Sequence, residues 1–303
     1  MPVRIGRWAR QWYGESTRWG SALRNMSGGN WFMIVFLLLL AAFMLLPLVY
    51  IFNHAFKPLH ELLLFPPTFI VKDPTIRNFV ELLSLTKSTF VPVSRYIFNS
   101  VVVTVLTTIG MVVTGALCAY PLSKHPFPGS KLVFGTIVIS LLFVSEIIAI
   151  PRYVVVQSLG IMNTYWGHIL PILALPVGVF LLKQFMDQVP NELLESAKID
   201  GANEVRIFLR IVVPVVMPAM ATVTILAFQS AWSNVETSSL FMQDDSMKTL
   251  PFYLSTLNSG MANSVARQGA VASGSLIMFL PSLLIFLFYQ RKVIATMAHS
   301  GIK

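Results

Sequence analysis

Residues Trp31 to Phe52 read WFMIVFLLLLAAFMLLPLVYIF, a run with no charged side chain. A helix advances about 1.5 Å per residue, so ~20 mostly apolar residues cross the ~30 Å hydrocarbon core of a bilayer. Arg4, Arg7, Arg10, Arg18 and Arg24 precede the run. Secretory signal peptides also open on a basic region, but their apolar core is shorter and ends at a small-residue cleavage site. Here the run is longer, and Asn53-His54-Ala55-Phe56-Lys57 offers no such site. It reads as an uncleaved first span.

Five further stretches have the same character: Tyr96 to Leu122, Leu132 to Ile150, Tyr165 to Phe185, Ile211 to Ala231, and Gln268 to Tyr289. Backbone amides find no water in lipid, so these stretches are expected to be helices. Pro171, Pro176, Pro214, Pro218 and Pro281 fall in or near them, where kinks are tolerated. Composition agrees, since 55% of the 303 residues are hydrophobic, 12% are charged and the mean hydropathy is +0.71. A soluble domain carries about 25% charged residues. The expected fold is all-α, a polytopic membrane protein with about six transmembrane helices. The net charge of +9 does not indicate nucleic acid, because the basic residues are dispersed between apolar runs as membrane-flanking charges. Cys118 is the one cysteine, which excludes an intrachain disulfide. Inside an apolar run it reads as a small buried hydrophobe.

Orientation follows from the Lys/Arg bias. With the N-terminus inside, fourteen of the 22 basic residues fall on the cytoplasmic side and eight outside, five of those eight in one long loop. Both termini are expected in the cytoplasm. The outside loop from Asn53 to Arg95 contains the turn-rich Phe65-Pro66-Pro67-Thr68 and a short helix near Asn78 to Leu85. The outside loop from Trp232 to Arg267 is polar and carries Asp244 and Asp245. A basic cytoplasmic segment, residues 1–30, thus leads one membrane domain, residues 31–303, with no short-period repeat.

The stretch from about Asp187 to Arg210, on the cytoplasmic side, differs from the rest. Asn191 after Pro190 is placed to cap a helix, and Glu192 and Glu195 in its first turn complement the helix dipole. Leu193, Leu194 and Ala197 share a face at helical spacing, and Gly201 is the expected stop. Asn203 then caps a second helix leading into the fifth span. The expectation is a short amphipathic helix across the end of the bundle, with a polar outer face.

Glu195-Ser196-Ala197, Gly201, Ile211, Val213 and Pro214 match the pattern E-A-A-x3-G-x9-I-x-L-P, with Ser196 and Val213 as departures. The chain thereby resembles the inner-membrane permease subunits of binding-protein-dependent (type I) ABC importers. Other stretches resemble the carbohydrate-uptake branch, that of the maltose-transporter permeases. They are Phe98-Asn99-Ser100, Ala119-Tyr120, Ile150-Pro151-Arg152-Tyr153, Leu159-Gly160 with Asn163-Thr164, Thr249-Leu250-Pro251 and Gln290-Arg291. The resemblance runs from about the first span to the C-terminus; the Arg-rich tail before Trp31 is unmatched.

It implies a multi-pass protein of a prokaryotic cell membrane that imports a sugar, most readily an oligosaccharide. It implies a second related permease, two ATPase subunits and an extracytoplasmic sugar-binding protein as partners, with membrane lipid around them. Glu195, Ser196, Ala197, Asp200 and Gly201 become ATPase-coupling positions of a cytoplasmic coupling helix. Glu195 would pair with a basic group of the ATPase, and Gly201 would allow the turn that seats the helix. No catalytic residue and no cofactor are expected on this chain, with ATP and Mg on the ATPase subunits. The sequence agrees, because it holds no G-x-x-x-x-G-K-[ST] phosphate loop.

Glu146, Trp232 and Asn234 are the candidates for lining a translocation pathway. Glu146 lies within the third apolar run, where an ionisable group is costly. It lines the pathway, pairs with Arg152, or simply reaches interfacial water. Trp31 and Trp232 lie near boundaries, where aromatic rings anchor the interface; stacking on a sugar is the sharper role for Trp232. Asp244 and Asp245 have no neighbouring histidine or further acids, so a solvated loop that meets the binding protein fits better than a metal site. The five histidines show no ligand spacing. Two rivals remain: an ion-coupled secondary transporter, for which only Glu146 speaks and no inverted repeat is evident, and a membrane-embedded enzyme, for which no His/Cys/Asp/Glu cluster speaks.

Overall fold

Which apolar runs stay straight is decided by proline and by local backbone bonding. The computed structural model describes residues 28–300 except 63, 65, 67, 85–90, 126 and 260–264. Most of the basic segment 1–30, and Phe65 and Pro67 of the expected turn, lie outside the described residues. Three helices are each long and apolar enough to cross a membrane: Gly28–Phe56, Val93–Lys124 and Val265–Ser300. Three further candidate spans are bent pairs. Ser130–Ser140 meets Ser145–Ser158 at 113°, Tyr165–Ile172 meets Pro176–Asp187 at 49°, and Glu204–Val215 meets Met217–Trp232 at 82°. Counting each pair once makes six, and no strand occurs among the described residues.

Two of the bends follow from proline. Leu175 precedes Pro176, whose ring disfavours the helical region there, and adopts φ −115°, ψ 87°. The 82° bend falls at Val216 (φ −89°, ψ 11°), just before Pro218, which has no N–H to donate and whose ring crowds the carbonyl four residues back. Four residues earlier, Pro214 likewise lacks a donor. The chain answers with a π-helical turn over Phe208–Val212, in which Val213 N–H reaches back to Phe208 O.

The 113° bend corrects the expectation of a continuous span from Leu132 to Ile150. No glycine or proline lies between Ser140 and Ser145. Instead the N–H groups of Leu141, Leu142 and Phe143 bond three residues back, to Val138, Ile139 and Ser140, at 3.2, 3.0 and 3.3 Å. Val144 is then extended, at φ −84° and ψ 143°. The halves have 11 and 14 residues, so neither alone spans the ~30 Å core.

The chain divides into two compact units, residues up to Asn53 and from His54 onward. In the first, the described helix presents apolar side chains such as Phe32, Leu39 and Phe43 outward. In the second, Val93–Lys124 packs against Pro176–Asp187 and Met217–Trp232, and the latter against Val265–Ser300. Lipid is as apolar as leucine, so helices associate through close packing, which small residues permit. Ala116, Ala119 and Ala219 share a core with Leu182, Met186 and Val223. Gly178 lies where a Cβ would stand 3.0 Å from Val223 Cγ1. A second core joins Leu82, Val93, Leu250 and Leu254 around Tyr96 and Tyr253, stacked at 4.9 Å. Cys118 is exposed rather than buried, a correction. The helix spends its inward face on Ala116, Ala119 and Tyr120, and residue 118 falls on the opposite side.

The loop after Phe56 is anchored by buried polar groups. Asn78 donates from Nδ2 to the carbonyls of Ala55 (3.0 Å) and Lys57 (2.8 Å), groups left without helical partners where the first long helix ends. A Cβ at Gly269 would lie 2.5 Å from Asn78 Oδ1, so only glycine lets that helix approach so closely. Lys57, also buried, donates to Thr68 O. Glu61 accepts the N–H groups of Asp73 (2.8 Å) and Lys72 (3.2 Å). Burial alone would raise the Glu61 pKa. The Asp73 and Lys72 amides and then the charges of Lys57 and His60 outweigh it and hold the carboxyl below its ordinary 4.5.

Two outcomes are expected. Asn78→Ala leaves two carbonyls unpaired and lowers thermal stability in detergent by about 1–3 kcal/mol. Because the folded pKa of Glu61 is depressed, its carboxylate stabilises the loop above pH 4.5, and this is lost as pH falls through the lower folded value. Amide exchange at Lys72 and Asp73, corrected for intrinsic rates, is expected to rise over that window in the wild type, with no such step in Glu61→Gln.

Candidate functional site

Pro190, at φ −59° and ψ 136°, turns the chain into the helix Asn191–Ile199. Pro190 rather than Asn191 therefore occupies the cap position, and Asn191 is the first helical residue. Its Oδ1 accepts from Lys124 Nζ at 3.1 Å, and the same ammonium donates to Val189 O at 2.6 Å. A lysine at the end of Val93–Lys124 thus pins the entry of the short helix.

The exit is a complete Schellman closure. Ala202 N–H reaches Ala197 O at 2.9 Å and Gly201 N–H reaches Lys198 O at 3.0 Å, with Gly201 at φ +80°. Asn203 Oδ1 then accepts Arg206 N–H at 2.9 Å and starts the next helix. Leu194 is buried in the main core, and Ala197 and Ala202 pack against it. Leu193 is 48% exposed, so it does not share the buried face, and Ile199 is 86% exposed. The outer face is therefore not wholly polar: it combines two aliphatic side chains with carboxylates and a lysine.

Of the five expected coupling positions, Glu195, Ser196, Asp200 and Gly201 are exposed, and Ala197 is turned inward. Ser196 Oγ bonds back to Glu192 O at 2.6 Å. Around Gly201 nothing lies within 4 Å of a Cβ position. The element is a rigid, capped helix seated on the bundle by Leu194, with its other sides open.

The three pathway candidates are not brought together. Glu146 is exposed in the first turn of Ser145–Ser158 and makes no hydrogen bond or ion pair among the described residues. Arg152 pairs with Glu236 at 3.0 Å, which corrects the Glu146–Arg152 alternative. Trp232 is only 5% exposed, donates from Nε1 to Met278 O at 2.8 Å and stacks on Phe228 at 5.7 Å. Asn234 Oδ1 accepts from the N–H (2.9 Å) and hydroxyl (2.8 Å) of Thr237, a local turn.

A cavity of about 620 Å³ between Met217–Trp232 and Val265–Ser300 adds groups the sequence reading missed. Gln229, Ser230, Ser233, Ser275, Ser282 and Phe279 line it, with no ionisable side chain, and Trp232, alone of the three pathway candidates, also borders it. The available signal was polar spacing: 229, 230 and 233 lie near one helical face, as do 275 and 282.

Nearer the other end, the segment Ser246–Leu250 is held by side chains. Asn99 donates to Ser246 O and Lys248 O at 2.8 and 2.9 Å, and Leu250 N–H donates to Ser100 Oγ at 2.7 Å. Buried His168 lies between Thr237 Oγ1 (2.9 Å) and Met247 O (3.0 Å). Asp244 accepts from Asn163, and Asp245 pairs with Lys248 at 2.7 Å, so both acids serve this loop. His60, Glu61 and Asp73 cluster closely enough to hold a cation. The Glu61 oxygens, however, are already engaged by backbone N–H groups.

The family model described as "Binding-protein-dependent transport system inner membrane component" matches residues 16–292 and so reaches into the basic segment. The arabinooligosaccharides transport system permease protein AraQ of Bacillus subtilis (strain 168) is 29% identical over 271 residues, 89% of this chain and 95% of that protein. The trehalose transport system permease protein SugB of Mycobacterium tuberculosis (strain CDC 1551 / Oshkosh) is 27% identical over 271 residues, 88% of this chain and 94% of that protein. A chain from the crystal structure of a bacterial ABC transporter involved in import of the acidic polysaccharide alginate shares the fold. Its TM-score is 0.75 at 20% identity, over 88% of this chain and 98% of that one.

Gly201→Ala is expected to cost roughly 1–2 kcal/mol through its left-handed backbone alone, since no neighbour obstructs the new methyl. Thermal unfolding of the purified chain checks the value.

Proposed function

The chain belongs to the family of binding-protein-dependent transport system inner membrane components, and on that premise we propose that it is one permease subunit of an ATP-driven sugar importer. Its cargo is a sugar, most readily an oligosaccharide, as the names of the arabinooligosaccharide and trehalose permeases support. ATP is hydrolysed by two separate ATPase subunits, a second related permease completes the pathway, and an extracytoplasmic binding protein delivers the sugar. Both termini, with the helix Asn191–Ile199, face the cytoplasm.

One observation carries this: a rigid helix, capped at its exit and anchored by a single buried leucine, leaves Glu195, Leu193 and Ile199 exposed on its surface. Exposed aliphatic side chains beside charges suit a protein partner better than water. Leu194 and Tyr120 belong to one close-packed core with Leu182, Met186 and Ala219. Closure of an ATPase on the helix therefore displaces packed elements as a body rather than deforming a loop. ATP binding favours one of two bundle states and hydrolysis restores the other, which is alternating access by differential stabilisation. The uncharged cavity containing Gln229 and the serines supplies hydroxyl and amide partners suited to a sugar moving between them.

The test is reconstitution with the neighbouring permease and ATPase genes. Uptake is expected to need ATP and to ignore ionophores. Glu195→Lys is expected to reduce ATPase co-purification and uptake at least tenfold, the change that about 1.4 kcal/mol produces. Uptake driven by an ion gradient without ATP, or a Glu195→Lys subunit that still assembles and transports normally, refutes the proposal.

A further inference from the structure

Glu204 falls at an unspecified position inside the matched pattern, and its carboxylate receives donors from three places. Tyr120 hydroxyl donates to Oε2 at 2.8 Å, His125 Nε2 lies 3.2 Å from the same oxygen, and Lys198 Nζ lies 2.7 Å from Oε1. Tyr120 belongs to the long helix Val93–Lys124, His125 follows its last turn, and Lys198 belongs to Asn191–Ile199. One side chain therefore joins the exposed short helix to the end of a membrane-crossing helix. The Tyr120 ring is buried and meets Phe208 at 5.1 Å and His125 at 5.2 Å. Phe208 opens the π-helical turn, where the regular bonding pattern gives way.

Energy alone does not explain the arrangement. Glu204 is 47% exposed and Lys198 48%, and ion pairs so exposed contribute about 0–1 kcal/mol. What three donors on one carboxylate do fix is geometry, since they leave its two oxygens little freedom to turn.

We propose that Glu204 is a positioning residue that ties the motor-facing helix Asn191–Ile199 to the end of Val93–Lys124, so that the two move as one body about the π-helical turn Phe208–Val212. This rests on the importer function proposed above and specifies how that function crosses from the short helix into the bundle. Lys198 holds the short helix to Glu204, Glu204 holds Tyr120, and Tyr120 shares one core with Leu194, Ile207 and Val216. Without the tie, the short helix still presents Glu195 and Ile199, and an ATPase still docks. Leu194 and the Lys124–Asn191 bond still seat the helix's entry, but its exit at residues 200–204 is free to turn and takes up much of the stroke.

The experiment compares the complete reconstituted transporter carrying the wild-type chain, Tyr120→Phe, Glu204→Ala, or both. The readout is sugar taken up per ATP hydrolysed, together with ATPase co-purification. Tyr120→Phe keeps the ring in the core and removes only the hydroxyl, so it retains the packing even where Glu204→Ala does not. Each single variant is expected to lower the ratio about tenfold with co-purification retained. The double variant is expected to be no worse than Glu204→Ala alone, because that change already removes the bond from Tyr120. An unchanged ratio in Tyr120→Phe, or effects that multiply in the double variant, overturns the proposal. Amide exchange over residues 191–203 is measured in the same samples and does not depend on transport. It is expected to rise about tenfold when the tie is removed, and unchanged exchange overturns the tie. Failure of the wild type to import sugar with ATP would sink the importer function while the exchange arm still decides whether the tie exists.

Discussion

Close backbone approach around the helix Val93–Lys124 is the constraint on which the rest depends. In lipid no hydrophobic drive gathers helices, so contact must come from packing, and packing needs small residues where axes meet. Ala116 and Ala119 serve Val93–Lys124, Gly178 serves Pro176–Asp187, and Ala219 serves Met217–Trp232. Because these positions are small, Tyr120, Leu182, Met186 and Val223 interlock around them into one core, and Leu194 reaches into that core from outside the crossings. The short helix is thus an extension of the bundle's packing, not an appendage to it.

Backbone bonding shapes what packing leaves open. Pro176 and Pro214 each deny the helix a donor and force the chain to satisfy its carbonyls differently, once through a break and once through a wider turn. The π-helical turn sits between the exposed helix and the crossing Met217–Trp232, where a part that must move benefits from weaker regular bonding. At the other end, Asn78, Glu61 and Asn99 take up backbone groups that no helix or strand satisfies. Polar side chains there do the work that strands would do in a soluble protein.

The charged groups divide in the same manner. Arg152 and Glu236 pair half-buried across 84 residues of chain, and Glu204 gathers Tyr120, His125 and Lys198. Exposed acids on Asn191–Ile199, by contrast, make few intramolecular commitments, as suits a surface kept for another protein. Glu195 and Asp200 are legible in the sequence because a motif and a capping pattern are local. Glu204 was not, because its importance comes from three donors that the sequence places 6 to 84 positions away.

The sequence by itself determined the membrane class, the apolar runs, the prolines beside which two of them break, and the helix that stops at Gly201. Each of these rests on information within a few residues: hydropathy over ~20 positions, a missing amide at proline, a left-handed turn that only glycine takes cheaply. Only the tertiary structure decided the 113° bend, made from three-residue backbone bonds that no breaker residue announces. It alone decided that Leu194 rather than Leu193 seats the short helix, that Arg152 turns to Glu236, and that Trp232 spends its N–H on Met278. Those outcomes depend on which helix faces are brought together in space. A repeating pattern along one chain specifies a face but not its neighbour.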